Sequence, residues 1–302
     1  MRRFTKGMLI TAGIFGTVGV GLTIAGVAMG ANISDMEIPG FIREKIEWVE
    51  ESAVDEHHDL KEIQDTSNAS GSASTKTVQK KEADEADVYD LQYQPLNFEF
   101  ELRSDELILE EGDSYQVYVY EDDGNDVTVK EDRGTLKIIS KRKKSDTAST
   151  QNYKIRVLYP KDVTLDELEI ELGAGQILFD RDVETKTLNL ELGAGEFTNS
   201  GAITTREADL EVGAGNMELY DLSAKEINGE CGVGDMTLSV TGESVDYNYD
   251  LECGIGTISI DAESYSGFAK EKHISNGADR SVDLECGMGN IFVDFTEKDH
   301  RI

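Results

Sequence analysis

Six copies of one short motif constrain this chain more than any other feature. They read Glu171-Leu-Gly-Ala-Gly, Glu191-Leu-Gly-Ala-Gly, Glu211-Val-Gly-Ala-Gly, Glu230-Cys-Gly-Val-Gly, Glu252-Cys-Gly-Ile-Gly and Glu285-Cys-Gly-Met-Gly. Their first glycines are 173, 193, 213, 232, 254 and 287, so the steps are 20, 20, 19, 22 and 33. A fixed period near 20 residues is the mark of a solenoid, in which each repeat is one coil stacked on its neighbours. Ahead of the glycines, Leu168, Ile170 and Leu172 alternate with Glu169 and Glu171. Behind them, Ile177 and Phe179, or Met217 and Leu219, alternate again. Period two means strands, and no 3.6-residue period appears. The inward phase slips by one residue across the second glycine, so the chain must bend there. The expected fold is an all-β solenoid, like a single-stranded β-helix, of about 20-residue coils. The paired glycines Gly173/Gly175, Gly193/Gly195, Gly213/Gly215, Gly232/Gly234, Gly254/Gly256 and Gly287/Gly289 then serve as structural corners. They are not a dinucleotide fingerprint, since no third glycine and no helix follow them.

Stacking at about 4.8 Å per coil turns repeat positions into ladders of side chains. Taken in chain order, one inward ladder reads Leu172, Leu192, Val212, Cys231, Cys253, Cys286. The three cysteines therefore read as structural buried thiols replacing aliphatic residues. Parallel stacking holds their Cβ atoms wider apart than the usual disulfide geometry, and no histidine joins them to complete a metal site. The outward ladder is Glu171, Glu191, Glu211, Glu230, Glu252, Glu285. From residue 168 onward, 28 acidic and 9 basic residues leave a net charge of −19. Adjacent carboxylates in such a file repel by about 1 kcal/mol in water and more near a protein surface. Three readings follow: a solvated acidic face, a weak Ca²⁺ or Mg²⁺ ladder on these glutamates, or a docking face for a cationic partner. Beyond weak Ca²⁺, no cofactor is expected. The long last step makes residues 261–281 an excursion, and Tyr265, Phe268, Lys270, Lys272 and His273 there form a candidate contact loop. Residues 91–165 lack the glycine motif but remain strand-like, as N-terminal β coils or a cap, and residues 166–297 carry the repeats. Residues 298–302 are a tail.

Residues 7–34 carry no charge, and residues 8–33 are long enough for a transmembrane helix. Arg2, Arg3 and Lys6 lie before it, within the cytoplasmic segment 1–7, while Asp35 and Glu37 follow it. The positive-inside rule places the N-terminus in the cytoplasm and the remainder outside, as a single-pass protein of the cell membrane. Gly26 and Gly30 form a small-xxx-small pair that suits self-association. Residues 34–63 include Ile42, Ile46, Val49 and Ala53 at helical spacing, a juxtamembrane helix, and residues 64–90 read as a flexible acidic linker. The whole chain has 29 Lys and Arg against 61 Asp and Glu, which argues against nucleic acid as a partner. Acids that recur once per coil, with few histidines, also argue against an enzyme.

An exported β-region of Leu-Glu-x-Gly-x-Gly-x-Ile-x-Ile coils behind one membrane helix resembles the bacterial "putative adhesin" family of domains of unknown function. These are β-strand-repeat proteins of the cell envelope. The resemblance spans roughly residues 90–297 and rests on the six motif copies. It implies a non-enzymatic, adhesin-like or scaffolding role, with an envelope or cell-surface protein or polymer as partner and no catalytic residues. The alternative is a sensor in an envelope-stress system acting through partner membrane proteins. The three cysteine coils and the long final insertion depart from the family pattern.

Overall fold

The computed structural model describes residues 79–83, 86–120, 126–140, 152–266 and 270–296. The expected membrane helix 8–33, the juxtamembrane segment 34–63, the tail 298–302 and Phe268 lie outside them. Among the described residues no helix is long and apolar enough to cross a membrane.

The described chain is all-β. Its middle consists of coils lying in parallel, in register and one repeat apart. β8 (Thr164–Asp180) and β9 (Val183–Asn199) pair along nearly their whole length, Leu172 against Leu192 and Ile177 against Phe197. β11 (Glu207–Val212) and β12 (Asn216–Ser223) form the next coil, with the short β10 (Ile203–Thr204) on a third side against Val183 and Leu222. β13 (Glu226–Cys231) and β14 (Asp235–Thr241) follow. The odd–even slip at the glycines is real: Leu168, Ile170 and Leu172 are buried before the corner, Ile177 and Phe179 after it. The cause is backbone crowding. A Cβ on Gly175 would sit 2.1 Å from the Asp105 carbonyl oxygen, and one on Gly234 would sit 1.8 Å from that of Gly215. Only a residue without a side chain lets successive coils approach so closely at the bend.

Gly175 departs from the expected corner in two respects. It does not separate two strands, because β8 runs through it, with Gly175 opposite Asp105 on one side and Gly195 on the other. The bend is made inside the ladder, at a φ of +122° that side chains rarely adopt. Its neighbour toward the N-terminal end is also an aspartate corner, so the file of corner glycines starts here.

Beyond β14 the layers leave chain order, and this corrects the ladders expected from the sequence. β19 (Arg280–Cys286) and β20 (Asn290–Thr296) lie directly on β13 and β14. The earlier coil, β15 (Tyr247–Cys253) with β16 (Thr257–Ile260), stacks outside them. The thiol ladder therefore runs Cys231, Cys286, Cys253, and the glutamates run Glu230, Glu285, Glu252. The corner glycines are reordered with them. Chain order would stack Gly256 on Gly234, but Gly289 takes that place, and Gly256 lies on Gly289, whose carbonyl oxygen would be 1.9 Å from a Cβ there. A two-residue alternation fixes which face each side chain takes but leaves every coil register-compatible with every other. The free excursion expected over 261–281 is corrected as well. β17 (Glu263–Ser266) folds back antiparallel on β16, and β18 (Lys270–Ile274) lies antiparallel on β15, so this stretch closes the end of the stack.

The other end is built alike. β3 (Asn97–Glu111) lies directly on β8, Phe100 against Ile170 and Leu107 against Ile177. The chain between them packs outside: β6 (Thr135–Ser140) and β7 (Lys154–Tyr159) run parallel to β3 on its far edge. β5 (Val127–Asp132) and β4 (Gln116–Tyr120) then add antiparallel to these. β2 (Ala86–Asp90) pairs with β4, and β1 (Gln79–Ala83) pairs with β2. The linker expected over 64–90 is thus partly strand, held by buried Val88 and Tyr89, an apolar pair too short to register as a period. β3 has no Gly-x-Gly. Its corner is made by buried Asp105, which accepts from the Ser140 hydroxyl at 2.5 Å and from the backbone amides of Arg103 and Tyr153 at 3.2 and 3.1 Å.

Inside, aliphatic files run the length of the stack. One reads Phe100, Ile170, Leu190, Leu210, Gly229, Leu284, Leu251. The gap left at Gly229 is filled by Leu284 and Met236, whose side chains lie 2.8 and 3.1 Å from where a Cβ would be. Cys231, Cys286 and Cys253 are all buried and none is in a disulfide. The Cys231 and Cys286 thiols each donate to the carbonyl of the second corner glycine, Gly234 and Gly289, at 3.0 Å. A buried arginine ties the glycine-free end to the repeats. Arg181 donates to the carbonyls of Tyr159 at 2.6 Å, Asp182 at 2.8 Å and Pro160 at 3.2 Å, and its guanidinium lies 3.5 Å from the Tyr159 ring centroid.

Candidate functional site: the acidic face

The strand of each coil that precedes the glycines turns alternate residues outward, and register lines them up into files. In the file nearest the corner, Glu101, Glu171, Glu191, Glu211, Glu230, Glu285, Glu252 and Glu271 stand opposite one another in succession. No basic or neutral residue interrupts these eight. The next file reads Lys137, Glu99, Glu169, Asn189, Asp209, Asn228, Asp283, Asp250, His273. Its charge is managed. Lys137 pairs with Glu99 at one end, and His273 Nδ1 lies 2.9 Å from Asp250 Oδ1 at the other. Asn228 donates to Asp209 Oδ1 at 2.5 Å, and Asn189, with its amide nitrogen turned toward Asp209, donates to Oδ2 at 3.2 Å.

The glutamate file contains no such basic or amide rung, and its proton affinities show it. Burial against the sheet, then the Glu191 and Glu101 charges, hold the Glu171 carboxyl above its ordinary range. Burial followed by Glu211 does the same for Glu191, and burial alone for Glu211. Glu230 is the extreme. Burial, then Glu211 and Glu285 on the flanking coils, then Asp283 and Asp209 beside it, push it up to about 7. Near neutral pH Glu230 is therefore partly protonated, which relieves its repulsion from Glu211 and Glu285. A shallow groove of about 180 Å³ runs along this part of the face, between Glu169 and Glu230. Among the described residues no three His, Cys, Asp or Glu side chains converge as a metal-binding group. The carboxylates form a line, so a divalent ion here would bridge neighbouring rungs and would not enter a ready-made cage.

The sequence had placed six glutamates in this file. Glu101 and Glu271 extend it, and neither lies in a glycine motif; the alternation Phe98-Glu-Phe-Glu-Leu102 nevertheless matches Leu168-Glu-Ile-Glu-Leu172 position for position. The candidate contact residues divide. Tyr265 stands opposite Ile258, Lys272 opposite Leu251, and His273 opposite Asp250. Lys270 is described only as part of β18, against Cys253.

The Toastrack DUF4097 family profile matches residues 96–299. The chain belongs to this family. Among solved structures, a "putative cell adhesion protein" from Clostridium sporogenes is similar at 14% identity and a TM-score of 0.39, covering 72% of this chain and 100% of that one. A "putative adhesin" from Bacteroides fragilis is similar at 16% identity and a TM-score of 0.39, covering 71% and 98%. Another from Parabacteroides merdae is similar at 13% identity and a TM-score of 0.36, covering 72% and 96%. No curated protein matches the chain. The matched Toastrack region runs from the glycine-free end of the stack through its last strand and includes the whole acidic face.

Proposed function

We propose that this Toastrack protein is a non-enzymatic, membrane-anchored β-solenoid displayed outside the cell, acting as an adhesin-like scaffold through its acidic face. The observation that carries the reading is the uninterrupted file of eight glutamates, seven on stacked parallel strands and Glu271 on the antiparallel strand that closes the stack. Fixed spacing at about 4.8 Å presents a repeating charge pattern, which suits a repeating or extended cationic partner better than a compact ligand. Divalent cations bridging adjacent rungs would let the same face hold an anionic envelope polymer. The acids recur at one position on every coil, a pattern for display; catalysis needs a few groups converging on one atom. Anchoring and orientation rest on the uncharged 8–33 segment and its flanking charges.

Two experiments test this. With Cys231, Cys253 and Cys286 changed to Ala and Ser70→Cys introduced, an impermeant maleimide should label intact cells; absence of label at normal protein level rejects external display. Crosslinking on intact cells should then recover an envelope partner from the wild type. Glu191, Glu211 and Glu230 changed together to Gln should lose that partner, and undiminished capture rejects the acidic face as the contact.

A further inference from the structure

The closed end of the stack holds a cup. It has a volume of about 360 Å³, its floor is Leu251 and Cys253, and its walls come from Ser264, Tyr265 and Ser266 of β17 and Lys272 of β18. The register explains it. Directly opposite residues share a face of the sheet, so Lys272, opposite buried Leu251, lies on the inward side. That position is Ile170, Leu190, Leu210, Leu284 and Leu251 in the layers below. Tyr265, opposite buried Ile258, faces the same space from the other wall. The last layer thus continues the inward files with a phenol and an ammonium where the core would demand aliphatic side chains. Glu271, which also borders the cup, belongs to the outward file opposite Glu252. Lys272 makes no ion pair among the described residues, although acidic residues dominate the chain.

An apolar floor, the Tyr265 phenol on one wall and the Lys272 ammonium on the other make a recognisable combination. The volume lies at the lower end of the roughly 300–1,000 Å³ of small-molecule sites. We propose that the cup binds a small single-chain amphiphile with an anionic head, the head on the Lys272 ammonium and the hydrocarbon tail on Leu251, Cys253 and the Tyr265 ring. Glu271 at the border of the cup disfavours bare anions. The apolar floor compensates only ligands with a tail, so selectivity is for amphiphiles over inorganic anions. This site is separate from the acidic face and does not depend on the role proposed for it.

The competing account is that Lys272 only guards an edge strand against end-to-end pairing, a common use of inward-pointing charge. Both accounts are separated by photolabelling the full chain, in nanodiscs of zwitterionic lipid, with octanoate carrying a tail diazirine. Adducts are mapped by mass spectrometry, with oligomeric state followed by sedimentation. The proposal expects adducts between residues 251 and 266 that free octanoate suppresses and octylammonium does not. It expects at least a tenfold loss in Lys272→Met, retention in Lys272→Arg, and unchanged melting for both variants. It is overturned if the wild type takes no label between residues 251 and 272, or if Lys272→Met labels as strongly as the wild type. Association of Lys272→Met end to end, with labelling unchanged, would overturn it in favour of the edge guard.

Discussion

Glu230 makes the stability of this domain run against the usual direction with pH. In the unfolded chain its carboxyl titrates near 4.5; in the fold, burial and the flanking Glu211 and Glu285 push it up to about 7. The displacement corresponds to about 3 kcal/mol between its two protonation states, and to about 2 kcal/mol once solvent screening at a partly exposed site is allowed for. The sign follows from proton uptake. Between pH 7 and 4.5 the folded state holds a proton that the unfolded state has released, so stability rises as pH falls through this window. Above pH 7 the carboxylate is ionised in both states and the full penalty of folding with that charge applies. Below 4.5 both states are protonated and the term is flat. Glu230→Gln removes the ionisable group while keeping its size. At pH 8 it should therefore stabilise by about 2 kcal/mol, with the gain fading to nothing by about pH 4.5. Glu171, Glu191, Glu211 and Glu252 are also raised, each by burial first, so the variant keeps a shallower slope of the same sign. Urea unfolding followed by circular dichroism from about pH 4.5 to 8.5 measures both curves. A variant less stable than wild type at pH 8, or a difference independent of pH, would refute the reasoning.

Leu192 is 1% exposed and mid-stack, so Leu192→Asp should cost about 3–5 kcal/mol by burying an unpaired charge, while Glu191→Gln beside it should be neutral or stabilising; equal losses of melting temperature would mean the inward and outward faces are misassigned. Arg181→Met strips hydrogen bonds from carbonyls of the β7–β8 connection and should cost about 3 kcal/mol, with hydrogen exchange rising first at 159–165. A change under about 0.5 kcal/mol would show that water replaces it. Millimolar Ca²⁺ should raise the melting temperature more than NaCl of equal ionic strength, and changing Glu191, Glu211 and Glu230 together to Gln should remove the difference. Equal shifts in the wild type would reduce the file to a screened surface.

What could be read from the residues alone follows from what repetition encodes. The coil period, the strand phase and the corner glycines recur six times, so local pattern defines them, and the inward and outward assignment of Leu172, Glu171 and their equivalents needs nothing else. The order of layers is not local. Leu284 and Leu251 occupy the same inward position in their coils, and either satisfies the pattern above Gly229. For the same reason Gly256 was legible as a corner but not as the neighbour of Gly289. Arg181 was invisible for another reason: its partners are backbone carbonyls, which carry no side-chain signature. Asp105 hid likewise, since an aspartate in Arg-Ser-Asp-Glu reads as surface until its three donors are seen. With it hid the backbone that Gly175 bends against. Glu230 was correctly placed, but its proton affinity depends on Glu285, which is remote in the chain.

The insertion of the 280–296 coil beneath the 247–260 coil also sets a timetable. As the chain is made, each coil from 164 to 241 can settle on the one before it as soon as it is free. Residues 247–260 cannot do so correctly, because their proper neighbour has not yet been delivered. Nothing in their register prevents premature docking on β13 and β14, since the same positions accept either coil. A chain paused near residue 275 would therefore be expected to form a shorter, closed stack with its thiols in chain order, Cys253 against Cys231. From that arrangement, reaching the observed one requires the layer to lift off again, an exchange of neighbours governed by an unfolding rate instead of a collapse rate.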